Sequence, residues 1–267
     1  MKALSEFTKE SLRKIRFLLT DIDDTLTENG RLPAKSFQAL EKLQKEGLKV
    51  IPITGRPAGW CDHIARMWPV DGVVGENGAF YFFYNHSKEK IFKRYWKSES
   101  ERAYDRKCLK KLQKDILDKV KGCALSSDQA YRESDLAIDF CEDVEELTQD
   151  AVDEIVVIFQ KAGATAKKSS IHVNGWFGDY DKLSMTKTFL SECFKTEIDF
   201  AQDQIIFCGD SPNDEPMFDY FKNSVGVANV LDYADNLEKL PRWITKNRTA
   251  SGFFELSEAI LSARISN

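Results

Sequence analysis

Ile15-Arg16-Phe17-Leu18-Leu19-Thr20-Asp21-Ile22-Asp23-Asp24-Thr25-Leu26 sets an apolar run directly against three carboxylates in four residues. The apolar part reads as a strand buried on both faces, as in a parallel sheet. Open α/β sheets place their ligands at the carboxyl ends of such strands. Carboxylates crowded there repel one another unless a cation or a shared proton compensates. Mg²⁺, a hard cation that prefers oxygen ligands, is the natural resolution. Asp and Thr also favour N-caps and turns, so the stretch needs the rest of the chain to decide it.

Downstream, Pro33 precedes Phe37, Leu40 and Leu43 at helical spacing, and Gly47 closes that helix. The next strand, 48–53, contains Pro52, which is awkward in a central strand. It stops at Thr54-Gly55-Arg56-Pro57. A helix holding Trp60, Ile64 and Met67 follows, then a third strand, 72–74, and the turn Glu76-Asn77-Gly78. The order β-α-β-α-β predicts an α/β fold with a doubly wound (Rossmann-like) parallel sheet as its core.

The pattern then changes. Residues 79–84 and 91–96 read as a hairpin, followed by a helix with Leu109, Leu112, Ile116 and Val120. A short strand at 136–140, a helix with Leu147, Ala151, Ile155 and Ile158, and strands near 164–168 and 171–176 complete an α+β segment. It predicts a smaller domain at 97–178, inserted into a core made of 1–96 and 179–267. The core resumes with a helix over 182–194 and a strand at 205–208 that runs into Gly209-Asp210-Ser211-Pro212-Asn213-Asp214. A short helix with Met217 and Phe218, a strand at 225–228 and a last helix near 253–261 end it. The first 14 residues suggest a short helical leader docked by Leu4, Phe7 and Leu12.

Across its 267 residues the chain is 42% hydrophobic and 30% charged, ordinary for a globular protein. Its net charge of −5 argues against a nucleic-acid partner. The six cysteines form no Cys-x-x-Cys pair, and Cys208 lies in an apolar strand, which suits a reduced thiol. With no signal-peptide core and no membrane-spanning run, a cytoplasmic protein without a membrane partner is expected. His63, His86 and His172 lack zinc-site spacing. The oligomeric state is left open.

Two acidic loops, 21–25 and 209–214, each follow an apolar strand. If those strands are neighbours, Asp21, Asp23, Asp24, Asp210 and Asp214 converge, which folding alone would not favour. Asp214 could instead cap the helix after it. Thr54-Gly55-Arg56 offers a hydroxyl, a close backbone approach and a fixed cation, which suit a phosphate, although alone it is an ordinary turn.

Together these loops resemble the haloacid dehalogenase superfamily, specifically the subclass (IIB) whose large α/β cap lies between the second and third motifs. Asp21-Ile22-Asp23-Asp24-Thr25-Leu26 resembles motif I, Thr54 motif II and Gly209-Asp210-x-x-x-Asp214 motif IV. Glu76-Asn77-Gly78-Ala79 matches a loop common in the sugar-phosphate phosphatases of that subclass. The resemblance implies that Asp21 is the nucleophile and Asp23 the general acid and base. It implies Mg²⁺ held by Asp21, the main-chain carbonyl of Asp23 and Asp210, with Asp214 as ligand or support, and Thr54 donating to the phosphoryl group. Gly55, Arg56, Asn77 and Asn213 complete the expected substrate-binding set. The motif III lysine is assigned to Lys182, at the expected helix start, over Lys187 within that helix. Many relatives have glycine where this chain has Asp24, a departure read as a turn variant that adds charge near the metal. Arg132, Lys167, Lys168, His172 and Trp176 are the candidates on the cap for substrate contact. The expected function is a Mg²⁺-dependent phosphatase of a small phosphorylated metabolite, a sugar or glycosyl phosphate. The alternatives are a phosphomannomutase-like enzyme and a non-catalytic binding module.

Overall fold

The computed structural model describes residues 1–169 and 171–265. The chain opens with β1 (Lys2–Ala3) and α1 (Lys9–Lys14). Leu4, Phe7 and Leu12 are buried as expected, and the Phe7 ring stacks on Trp243 with centroids 4.7 Å apart. Then follow β2 (Phe17–Thr20), α2 (Ala34–Lys45), β3 (Lys49–Pro52), α3 (Ala58–Met67), β4 (Val73–Gly75), β5 (Phe80–Asn85) and β6 (Lys90–Tyr95). The middle of the chain holds α4 (Glu99–Lys119), β7 (Ala124–Leu125), β8 (Leu136–Asp139), α5 (Gln149–Lys161), β9 (Thr165–Lys168) and β10 (His172–Trp176). The last third holds α6 (Lys182–Phe194), β11 (Ile205–Gly209), α7 (Glu215–Tyr220), β12 (Ser224–Gly226), β13 (Trp243–Ile244) and α8 (Thr249–Ile265).

Six strands form one sheet in the order β1-β13-β12-β11-β2-β3, and every ladder in it is parallel. Period-2 alternation assigns its two faces. Leu18, Val50 and Ile206 pack with Leu40, Leu43, Phe253 and Leu256 from α2 and α8. Leu19, Ile51 and Phe207 pack on the other face with Met185, Phe189 and Met217 from α6 and α7. Helices on both faces make the sheet doubly wound.

The inserted segment has its own antiparallel sheet, β7-β8-β10-β9. Leu109, Ile116, Ile138, Ile155, Phe159 and Val173 form a separate core behind it. Its helices start where local chemistry permits. Ser98 and Glu101 make a reciprocal capping box on α4, and Thr148 accepts from the Ala151 amide at α5.

Three expectations change. The strand at 72–74 does not extend the parallel sheet: β4 pairs antiparallel with β5 in a three-stranded sheet with β6. Its one link to the parallel ladders among the described residues is the isolated bridge Ile53–Val74, just past the end of β3. Pro52 accounts for this. The Val50 amide, on the outer side of β3, is satisfied by Asp71 Oδ2 at 3.0 Å. Two residues on, Pro52 faces the same side without an N–H, so no continuous ladder forms there. In α3 the buried face is Cys61, Ile64 and Ala65, whereas Trp60 and Met67 point outward. The terminal strands β1 and β13, two residues each, were not foreseen, and α8 is longer than 253–261.

Candidate active site

β2 and β11 are neighbours in register, Thr20 opposite Cys208, and the Asp21 amide donates to the Cys208 carbonyl at 2.8 Å. The two acidic loops therefore leave the sheet side by side. Carboxylate oxygens of Asp21, Asp210 and Asp214 all lie within 4.8 Å of one another, and all three residues are buried. Burial, with the charges of Asp21, Asp214 and Asp24 added, pushes the Asp210 carboxyl well above the usual aspartate range. Burial also raises Asp21; Lys182 opposes this, while Asp214 and Asp23 add to it.

Lys182, the first residue of α6, enters this cluster. Its Nζ donates to Asp21 Oδ1 at 2.8 Å, Asp214 Oδ1 at 2.7 Å and Asn213 Oδ1 at 3.2 Å. Although burial disfavours the ammonium, Asp21 and Asp214 hold its pKa above the ordinary lysine value. The helix starts at Lys182 because Asp181 caps it, accepting the Ser184 amide at 2.7 Å. Gly78 (φ +106°) allows the approach: a Cβ there would sit 2.0 Å from the Asp181 carbonyl oxygen. Lys187, the competitor, is half-exposed, lies over the Tyr220 ring and stands 3.8 Å from Asp199. It does not reach the cluster.

Three carboxylates facing one ammonium would leave two negative charges in a buried site were all three ionised. Asp210 meets neutral donors, the Thr25 hydroxyl at 3.0 Å and the Asn229 amide at 2.8 Å, and no cation among the described residues. Such an all-oxygen set fits a hard divalent cation. Asp214 does not cap α7 with its side chain. Its Oδ2 instead folds back to accept the Asp210 amide at 3.0 Å, in space that a Cβ on residue 209 would fill. Asp24 adopts φ 53°, the left-handed region open to glycine and, among other residues, most readily to Asn and Asp. Its carbonyl accepts from Asn229 at 3.1 Å.

The third loop reaches the same edge. Thr54 is buried, and its Oγ1 accepts the Arg56 amide at 3.0 Å. The Thr54 amide donates to Val74 O, and the Asn77 amide to Thr54 O. Asn77 presses on Gly55, and its Oδ1 is buried without a hydrogen-bond partner among the described residues. The expected residues Asp21, Asp23, Gly55, Arg56 and Asn213 line one small cavity, with Arg132, His172 and Asn174 from the inserted segment facing them. Asn77 and Lys182 line a neighbouring one.

A family profile of haloacid dehalogenase-like hydrolases matches residues 18–174 and 181–255. The chain belongs to that family. A phosphoglycolate phosphatase from Methanobrevibacter smithii is 24% identical over 243 residues, 90% of this chain and 96% of that protein. Another, from Thermoplasma acidophilum, is 25% identical over 82% of this chain and 87% of its own length. Among solved structures, a Thermoplasma acidophilum protein superposes with TM-score 0.71 at 19% identity, covering 92% of this chain and 98% of that one. A subclass IIB sugar phosphatase superposes with TM-score 0.61 at 15% identity, covering 93% and 99%. The fold is therefore that of the subclass IIB hydrolases.

In this hydrolase the cap side is a lattice of ion pairs. Arg56 donates to both oxygens of Asp23 (3.0 and 3.1 Å) and to Glu142 at 3.2 Å, and stands 3.6 Å from Asp128. Its guanidinium lies 4.4 Å from the Trp60 ring centroid. Asp139 presents Glu142 by accepting the amides of Cys141, Glu142 and Asp143. His172 Nε2 lies 2.9 Å from Glu142 Oε2, an ion-pair distance outside hydrogen-bond geometry. Arg132 is fully engaged by Asp128, Asp135 and the Gly55 carbonyl at 2.9 Å. Two other candidates serve the fold. Lys168 pairs with Asp153, and Trp176 is a core side chain whose indole donates to Tyr180 O. Lys167 lines the cavity beside Lys182. Thr25, Asn229, Glu142 and Asp128 had no assigned place. Thr25 lies in the loop after β2 and Asn229 in the segment after β12, the one signal that marked them. No helix among the described residues is long and apolar enough to cross a membrane.

Proposed function

We propose that the protein is a Mg²⁺-dependent phosphomonoesterase that acts on a small phosphorylated metabolite through an aspartyl-phosphate on Asp21. The observation that carries this reading is the buried Lys182 ammonium held between Asp21 and Asp214 where β2 and β11 end. Asp21 attacks phosphorus; its new O–P bond forms as the bond to the leaving oxygen breaks, and Asp23 gives that oxygen a proton. Asp23 then takes a proton from water, which attacks phosphorus and releases inorganic phosphate and the free Asp21 carboxylate. Lys182 offsets phosphoryl charge. Thr54 Oγ1 already accepts an N–H from Arg56, so its own proton is available to a phosphoryl oxygen. Asp21, Asp210 and the Asp23 carbonyl, supported by Asp214, would hold a Mg²⁺ ion, which would supply charge neutralisation between two anionic reactants.

A sugar or glycosyl phosphate is favoured by a cavity of about 480 Å³ that starts at Asp23 and Arg56. Trp60, Trp68, Tyr131 and His63 line it, and aromatic faces suit a ring on the leaving alcohol. A phosphorylated short hydroxy acid is the second class. The two curated relatives are named for such a substrate. Phosphate release by the purified protein, over a panel of hexose phosphates, disaccharide phosphates and phosphoglycolate, tests both. Turnover is expected to vanish in EDTA and return with Mg²⁺. Undiminished activity in chelator would overturn the metal assignment, and isomerised hexose phosphate without phosphate release would favour a mutase.

A further inference from the structure

Glu76 and Asn77 occupy consecutive left-handed positions (φ 43° and 54°) between β4 and β5, although neither is glycine. Such backbone costs on the order of 1 kcal/mol per residue and persists where surrounding contacts over-determine it. Those contacts are specific. The Glu76 amide donates to Arg56 O and the Asn77 amide to Thr54 O, both at 3.1 Å, so this turn braces the phosphate-binding loop. The Glu76 carboxyl is completely buried and has no lysine, arginine or histidine at ion-pair distance among the described residues. Four backbone amides satisfy it instead. Oε1 accepts from Ala58, in the first turn of α3, and from Glu133, both at 2.9 Å. Oε2 accepts from Ser134 at 2.6 Å and Asp135 at 3.2 Å. Three of the four donors thus belong to the inserted segment, directly after Arg132, whose Nη1 reaches Gly55 O. Burial, then the charge of Asp135, pushes the Glu76 carboxyl up to about 8, against Arg132 and the amide donors. An acid so placed adds little to stability by itself; what it does is join three pieces of chain at one point.

We propose that Glu76 is a positioning residue that fixes the inserted domain over the phosphate-binding loop. Its carboxyl ties residues 133–135 to the start of α3. While that tie is made, Arg132 stays on Gly55 and Asp128 stays beside Arg56. The kinetic consequence rests on the phosphatase reading above; the structural one does not.

Glu76→Gln tests it, because the shape is kept while one accepting oxygen becomes an amide that faces N–H groups. Hydrogen exchange of the 133–135 amides should quicken about tenfold, with protection in β2 and β11 unchanged. kcat/KM for a hexose phosphate should fall about tenfold, while inhibition by inorganic phosphate, which meets Asp21, Thr54 and Lys182, should move less than about threefold. Unchanged exchange at 133–135 overturns the proposal. So does faster exchange spread equally through β2 and β11, or a parallel loss of turnover and phosphate binding, since either marks general loosening. Glu76→Asp, with a shorter reach, carries the same expectations if Glu76→Gln does not fold. A wild-type protein inactive on every ester would fail the phosphatase reading alone, and the exchange result would then decide the role of Glu76.

Discussion

The edge of the parallel sheet and the face of the inserted domain are both crowded with charge, yet they balance it in opposite ways. At the sheet edge one ammonium serves Asp21 and Asp214, while Asp210 beside them meets no cation among the described residues. On the inserted face, and where it meets the core, each of these carboxylates contacts a guanidinium or backbone amides. Arg132 sits between Asp128 and Asp135, Arg56 between Asp23 and Glu142, and Glu76 among backbone amides. Buried carboxylates grouped in this way suit a cation, because isolated burial of such charge is costly. A compensated group is a joint. The contrast separates the cluster proposed to take metal and phosphoryl group from the ion pairs that hold it in place, with Asp23 belonging to both. The effects of substituting Asp21 and Lys182 should exceed those of substituting Glu142 by orders of magnitude.

The largest effect belongs to the uncompensated side. Asp21→Asn keeps the shape and removes the nucleophile, so turnover in the phosphate-release assay should fall by roughly 10³ or more. Turnover within tenfold of wild type would refute the assignment of Asp21. Next is Lys182→Ala, which deletes the ammonium between Asp21 and Asp214 and should cost ~10²–10³ in kcat. Lys187→Ala, on the exposed face of the same helix, should change kcat less than about twofold. The reverse order of severity would transfer the motif lysine to Lys187.

Most of the sheet edge was legible in the sequence because strand ends are local features. An apolar run that stops in acidic residues marks both β2 and β11, and parallel pairing puts them side by side without further information. The choice of Lys182 followed the same logic, since Asp181 stands where an N-cap should. The inserted face was less legible because its partners are distant in sequence. Arg56 meets Glu142 across 86 residues, and Glu76 meets Ser134 across 58. No spacing rule links such pairs. Lys168 and Trp176 looked like substrate contacts only because the ion pair with Asp153 and the indole bond to Tyr180 could not be seen. In α3, Trp60 was marked only as one of three apolar residues of a helix, and the buried stripe runs through Cys61 and Ile64. It is instead the outer wall of the cavity at Asp23.

Trp60 lies at the boundary between the two regions and sharpens the substrate question. Trp60→Ala should raise KM about five- to tenfold for phosphate esters with a ring on the leaving alcohol. Phosphoglycolate, too short to reach that wall, should keep its KM within about twofold. Equal effects on both would mean that Trp60 acts through Arg56, on which it stacks, and would remove the cavity from the specificity argument.

The smallest effect belongs to the compensated side, at Glu142. The contact with His172 and then, against burial, the Arg56 charge hold its carboxyl below the usual glutamate range. A carboxylate with a lowered folded-state pKa contributes stability that is present above the unfolded value, near 4.5, and is lost as pH falls through the folded value. Glu142 is only partly buried, so the contribution is screened and amounts to about 1 kcal/mol or less. Glu142→Gln should therefore lower the thermal midpoint by a few degrees at neutral pH, a gap that closes as pH drops below about 4.5. Its kcat should stay within about threefold of wild type, because Asp23 keeps Arg56 as a partner. A midpoint gap that persisted unchanged to about pH 3 would mean that the glutamate acts through packing and not through charge.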